Sequence, residues 1–194
     1  MNINMNLLKN NNSSYGLITI IIHWLMALTL FSLFGLGLYM VELSYYDSWY
    51  KGSIDLHKSV GGLLILVLIF RIIWRLINIR PKPANPKASG FEVKVVYLVH
   101  LSMYVLMVAL MFSGYLISTA DGREVDVFNL FSLPAMPFSI DNQEDIAGDV
   151  HEILAWTLIL LSTIHGLAAL KHHFVDRDNT LKRMLKVIPR KKSV

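Results

Sequence analysis

Seven histidines sit in a chain of 194 residues that is 54% hydrophobic, and five of them, His23, His57, His100, His151 and His165, fall in or at the ends of long apolar runs. An imidazole in such surroundings can ligate a metal, pass a proton, or serve as a polar contact between helices. Spacing helps to choose. His151 and His165 are fourteen residues apart, which in an α-helix is about 40° short of four whole turns and about 21 Å of rise. Both therefore look the same way at two depths. Arg71 follows His57 by the same interval.

Helices must hold these groups. Four apolar segments, at about 16–40, 57–79, 93–119 and 149–171, are each long enough to cross a bilayer. With a mean hydropathy of +0.49 and 16% charged residues, they predict an all-α chain: one integral membrane four-helix bundle spanning 1–194. Ser13 and Ser14 are candidate caps for the first span and Asp55 for the second. RPKPANPKASG is a proline-rich linker after the second span, and the acidic loop 120–148 has room for a short helix or a lid. Residues 1–14 are polar and Asn-rich, with no small-residue cleavage pattern after the apolar run that follows, so the first span is expected to be uncleaved.

Basic residues cluster on one side. Arg71, Arg75, Arg80, Lys82, Lys87 and Lys94 lie around the second connection, and Lys171, Arg177, Lys182, Arg183, Lys186, Arg190, Lys191 and Lys192 lie at or within the tail 172–194. The other two loops hold Lys51, Lys58 and Arg123. Both termini are therefore expected in the cytoplasm, and the pI near 9.3 reflects topology rather than nucleic-acid binding. The chain has no cysteine, which excludes disulfides, cysteine-ligated iron–sulfur clusters and thioether-linked haem.

With this topology the histidines sort by depth: His57 and His151 near the outer face, His23 and His165 near the inner one. Two imidazoles facing each other at one level can give opposite axial nitrogens to a flat iron macrocycle, a ligation suited to electron transfer. His57 with His151 and His23 with His165 are the candidate pairs, and span four would serve both irons. His100, near the inner level, competes with His23 or bonds a propionate or a quinone. Arg71 suits a haem propionate, while Arg75 reads as an interfacial residue snorkelling outward. Gly35, Gly37, Gly61, Gly62 and Gly166 could admit a porphyrin or close helix packing, and Trp24, Trp74 and Trp156 could touch a ring or merely pack. His172 and His173 read as solvated or headgroup-facing, with a proton relay near a quinone as the alternative. A transporter or zinc site is a further reading, but the spans lack clustered carboxylates to accompany it.

The motifs I-H-W at 22–24, L-H-K-S-V-G-G at 56–62, R-x-x-W-R at 71–75, H-E at 151–152, I-H-G-L-A-A-L-K-H-H at 164–173 and D-N-T-L-K-R-M at 178–184 together resemble the bacterial cytochrome b561 family over nearly the whole chain. The last helix and the D-N-T-L-x-R-M tail are the most specific parts. The resemblance implies a four-helix bundle in the bacterial inner membrane with two haem b groups, whose axial ligands are His23, His57, His151 and His165, leaving His100 out. It also implies electron transfer between a periplasmic-side partner and the quinone pool. The family includes a superoxide oxidase, so superoxide to ubiquinone is the expected reaction. The alternative is the haem-bearing membrane anchor of a multisubunit respiratory dehydrogenase, docked through loop 120–148. Superoxide is an anion best gathered by positive charge, yet the outer loops are rich in carboxylates; a local funnel of Lys51, Lys58 and Arg123 would have to serve, with salt screening the distant acids.

Overall fold

The computed structural model describes residues 5–86, 88–138 and 140–187. Of the basic residues named above, Lys87, Arg190, Lys191 and Lys192 fall outside them. After a single turn, α1 (Met5–Leu8), come the long helices α2 (Leu17–Val41), α3 (Tyr50–Ile77) and α4 (Gly90–Ser118). A short hairpin, β1 (Val125–Val127) and β2 (Phe131–Leu133), precedes the fourth long helix, α5 (Gln143–Phe174), and the turn α6 (Lys182–Leu185). All four long helices have the length and hydropathy to cross a membrane. Leu28, Val105, Ile153 and Leu160 remain exposed on their outer faces, an arrangement costly in water and natural in lipid.

Two helices start well before the apolar spans suggest. α3 begins at Tyr50, so Asp55 lies inside it and is not its cap. α5 begins at Gln143, with Glu144 and Asp145 in its first turn, where acids favour the positive end of the helix dipole. Hydropathy marks where lipid begins, and helix geometry extends past it. α2 is preceded by Gly16 without a side-chain cap. Ser13 and Ser14 belong instead to a turn in which both their backbone N–H groups donate to Asn11 Oδ1, at 2.8 and 2.9 Å. α4 has a reciprocal cap: Ser89 Oγ accepts from the Glu92 N–H, and the Glu92 carboxylate accepts from the Ser89 N–H.

The asparagine run fastens the basic end of the bundle. Asn10 Oδ1 accepts from the Gly16 N–H and the Thr19 hydroxyl, its amide donates to the Ile79 carbonyl, and Thr19 accepts from Trp74 Nε1. The Lys82 N–H donates to the Asn12 carbonyl, Arg183 donates to the Lys82 carbonyl at 2.8 Å, and Trp24 Nε1 donates to the Met184 carbonyl at 2.6 Å. N-terminus, linker and tail thereby close over one end.

At the other end the hairpin takes the place given to a short helix in the sequence reading. Its turn puts Phe128 and Asn129 at φ 54° and 55°, and the left-handed twist of both residues lets a tight antiparallel connection form. Val127, fully buried, seats on α3 at Gly62, where an added Cβ would stand 2.8 Å from Val127 Cγ2. Ser59 Oγ accepts from the Phe128 N–H at 3.2 Å. Gly62 thus makes room for the hairpin rather than for a ring. Between the two ends, Met26, Leu64, Leu68, Met107, Leu110 and Leu158 form a core to which every long helix contributes.

Candidate functional site

Each long helix presents two residues fourteen apart, one near each end of the bundle. These are His23 and Gly37 on α2, Arg71 and His57 on α3, His100 and Gly114 on α4, and His165 and His151 on α5. Halfway between them on α3, α4 and α5 stand buried Leu64, Met107 and Leu158, seven residues from each partner and on nearly the same face. The polar groups are therefore sorted into two levels with an apolar layer between.

At the level nearer the hairpin, the His57 and His151 rings lie 6.3 Å apart, centre to centre. His151 Nδ1–H donates to the Leu110 carbonyl and Ser113 Oγ, each at 3.0 Å, which leaves Nε2 with the lone pair. His57 Nδ1 is buried and has no hydrogen-bond partner. Two glycines flank the pair: a Cβ at Gly37 would lie 3.6 Å from His57 Cε1, and one at Gly114 only 3.0 Å from His151 Cε1. Cβ atoms added at Gly35, Gly61 and Gly166 would meet nothing within 4 Å.

At the basic level, His23 and His165 are 6.5 Å apart, and His100 is 5.0 Å from His165. Opposite imidazoles on one metal, with bonds of about 2 Å and ring nitrogens about 1.1 Å from the ring centre, stand about 6.2 Å apart. Both expected pairs fit that span, and the His100 contact is too short for it. His100 Nδ1–H is held by the Val96 carbonyl one turn back on its own helix, at 2.7 Å.

Arg71 reaches this level as its spacing predicts. Its Nη2 lies 3.1 Å from His23 Nδ1, Nη1 donates weakly to Met26 Sδ at 3.6 Å, and Nε donates to the Tyr104 hydroxyl at 3.0 Å. A guanidinium only donates, so His23 Nδ1 accepts here. Ligating iron through Nε2 would move the ring proton to Nδ1 and turn Arg71 toward another acceptor. Arg75 does not snorkel away; its Cζ lies 4.7 Å from the centre of the Tyr104 ring.

The tryptophans hold elements together. Besides the bonds of Trp24 and Trp74, Trp156 meets Phe34 edge to face at 4.8 Å. His172 Nδ1 lies 2.7 Å from Asp176, which also receives Lys171. Among the described residues no group of three or more histidines and carboxylates is placed to hold a bare metal ion. Sequence reasoning passed over Ser113, Gly114 and Tyr104. Gly114 was marked by its interval of fourteen from His100, and Tyr104 by lying one turn after it.

Imidazoles paired across the bundle at two levels, glycines beside the outer pair and a carboxylate-seeking arginine suit haem and make this a membrane cytochrome by architecture. Residues 14–186 match the prokaryotic cytochrome b561 family, and the chain belongs to it, as a multi-pass membrane protein. It is 47% identical to cytochrome b561 homolog 2 of Escherichia coli (strain K12) over 91% of this chain and 93% of that one. It is also 30% identical to the probable superoxide oxidase CybB of Yersinia pestis, over 90% and 97% of the respective lengths. Membership implies haem b.

Proposed function

We propose that the chain carries electrons across the bacterial inner membrane by means of two b-type haems, from superoxide at the periplasmic face to ubiquinone, with both termini in the cytoplasm. The observation that carries this reading is the pair of imidazole separations, 6.3 and 6.5 Å, at two levels along one face of α5. His57 and His151 would hold the outer group, and His23 and His165 the inner one. Haem, when bound, would supply a one-electron carrier at each level. Ser113 and the Leu110 carbonyl fix the tautomer and direction of His151. Leu64, Met107 and Leu158 keep water out between the levels. Overall, two superoxide anions give up one electron each and leave as dioxygen, while ubiquinone gains both electrons and two protons.

The CybB name supports the choice of donor, as does the local charge beside His57. Lys58 adjoins that ligand, and Lys51 lies two turns earlier on α3. Arg123 contributes less than its sequence position suggested, because it closes an ion pair with Asp121. That contact holds the Asp121 carboxyl below the usual carboxylate range, so the pair persists at neutral pH. A second reading, the anchor of a respiratory dehydrogenase, is favoured by the exposed apolar side chains Phe128, Leu130, Phe138 and Ile140 among the outer acids.

The test is a haem count, a visible spectrum and a superoxide-driven ubiquinone assay on the purified chain. Two haems with bis-histidine bands are expected, one lost in His57→Ala and His151→Ala and the other in His23→Ala and His165→Ala. His100→Ala keeps both. Quinone reduction no faster than with a haem-free control removes the superoxide activity, and stable co-purification with a large redox subunit favours the anchor.

A further inference from the structure

Arg71 and Arg75, one turn apart on α3, converge on Tyr104 from α4, with Arg71 bonded to the hydroxyl at 3.0 Å and Arg75 over the ring at 4.7 Å. Two guanidiniums side by side within a membrane bundle are costly unless an anion joins them. No ion pair among the described residues includes either one. Arg71 spends its N–H groups on a phenol, a thioether and an imidazole, all neutral acceptors. The Tyr104 hydroxyl accepts from Arg71, which leaves its own proton to donate. The carboxylates of α3, α4 and α5 lie toward the helix ends: Asp55, Glu92, Glu144, Asp145, Asp149 and Glu152. A bound anion would supply the negative charge that neither arginine finds in these helices.

We infer that Arg71, Arg75 and Tyr104 form one carboxylate site, in which Arg75 and Tyr104 hold a propionate of the inner haem and so position that haem against His23 and His165. This rests on the two-haem reading above. The location favours a propionate over a lipid phosphate, because Arg71 contacts both His23 and the fully buried Met26, deep in the bundle rather than at its lipid face. Arginine forks and a phenolic O–H match carboxylate oxygens in number and direction. Two cations beside the inner haem also favour its reduced form, since reduction removes one positive charge from the iron.

The experiment is redox titration of both haems, with infrared difference spectra of protein grown on haem carrying ¹³C-labelled propionates, for the wild type, Arg75→Gln, Arg75→Lys and Tyr104→Phe. Arg75→Gln is expected to lower the inner haem's reduced-to-oxidised ratio about tenfold at a fixed potential, which is about 59 mV for one electron, and to leave the outer haem unmoved. Arg75→Lys restores most of the ratio, and Tyr104→Phe shifts a label-sensitive carboxylate band. Unchanged potentials and bands in Arg75→Gln and Tyr104→Phe overturn the inference. So does an effect that follows removal of anionic phospholipid with the propionate bands unmoved, which would assign the site to a phosphate headgroup. A wild-type chain without two haems sinks the parent reading instead, so the two failures are distinguishable.

Discussion

His151 is suited to be a ligand because its other nitrogen is already committed. With Nδ1–H on the Leu110 carbonyl and Ser113 Oγ, the ring cannot rotate without losing both bonds. Gly114 completes the arrangement by leaving 3.0 Å where a side chain would begin. On the proposed two-haem reading, Gly114→Val should displace the His151 ring and lose the outer haem, halving haem per chain while the inner haem's spectrum stays; full occupancy of both would count against that role. The histidines themselves were legible, since an imidazole in an apolar run has few uses. Gly114, Ser113 and Tyr104 were not, because small and hydroxylic residues in membrane helices serve packing as readily as chemistry. Their meaning depends on what stands across the gap.

Elements decide what the ends of the bundle do. The hairpin is seated by one close approach, Val127 on Gly62, so Gly62→Leu should overpack the contact at a cost of about 1–3 kcal/mol. The expected readout is faster proteolysis within 120–142 with the helices intact; cleavage at the wild-type rate would show that the hairpin is held elsewhere. At the opposite end, bonds from Lys171 and His172 hold Asp176 below its ordinary carboxyl value of 3.8. A lowered carboxyl binds fewer protons folded than unfolded, so its contribution is complete above 3.8 and fades as pH falls through the lower folded value. In Asp176→Asn at pH 7, exchange of the Val175 backbone amide, which caps α5 by donating to the Lys171 carbonyl, should quicken about two- to fivefold, a change the wild type shows only on strong acidification. The four long helices were readable from hydropathy, but the hairpin was not: each strand is three residues long, too short for alternation to register.

For the molecule as a whole, the absence of cysteine makes orientation directly measurable. Ser48→Cys, between α2 and α3, should react with an impermeant maleimide on intact spheroplasts, and Lys82→Cys only after permeabilisation; the reverse pattern would invert the proposed topology. The amino-acid sequence alone determined that this chain has four segments long and apolar enough to cross a membrane and that histidines on one face of the last span stand at two depths. Those follow from local quantities, apolar length and helical phase, which no distant contact alters. Only the tertiary structure decided which imidazoles stand at a metal-spanning distance, that His100 comes too close to His165 for that role, and that Arg75 turns inward onto Tyr104. Helix phase fixes a direction around one axis, whereas separation across the bundle depends on how neighbouring helices rotate and pack, and residues far apart in the chain set that together.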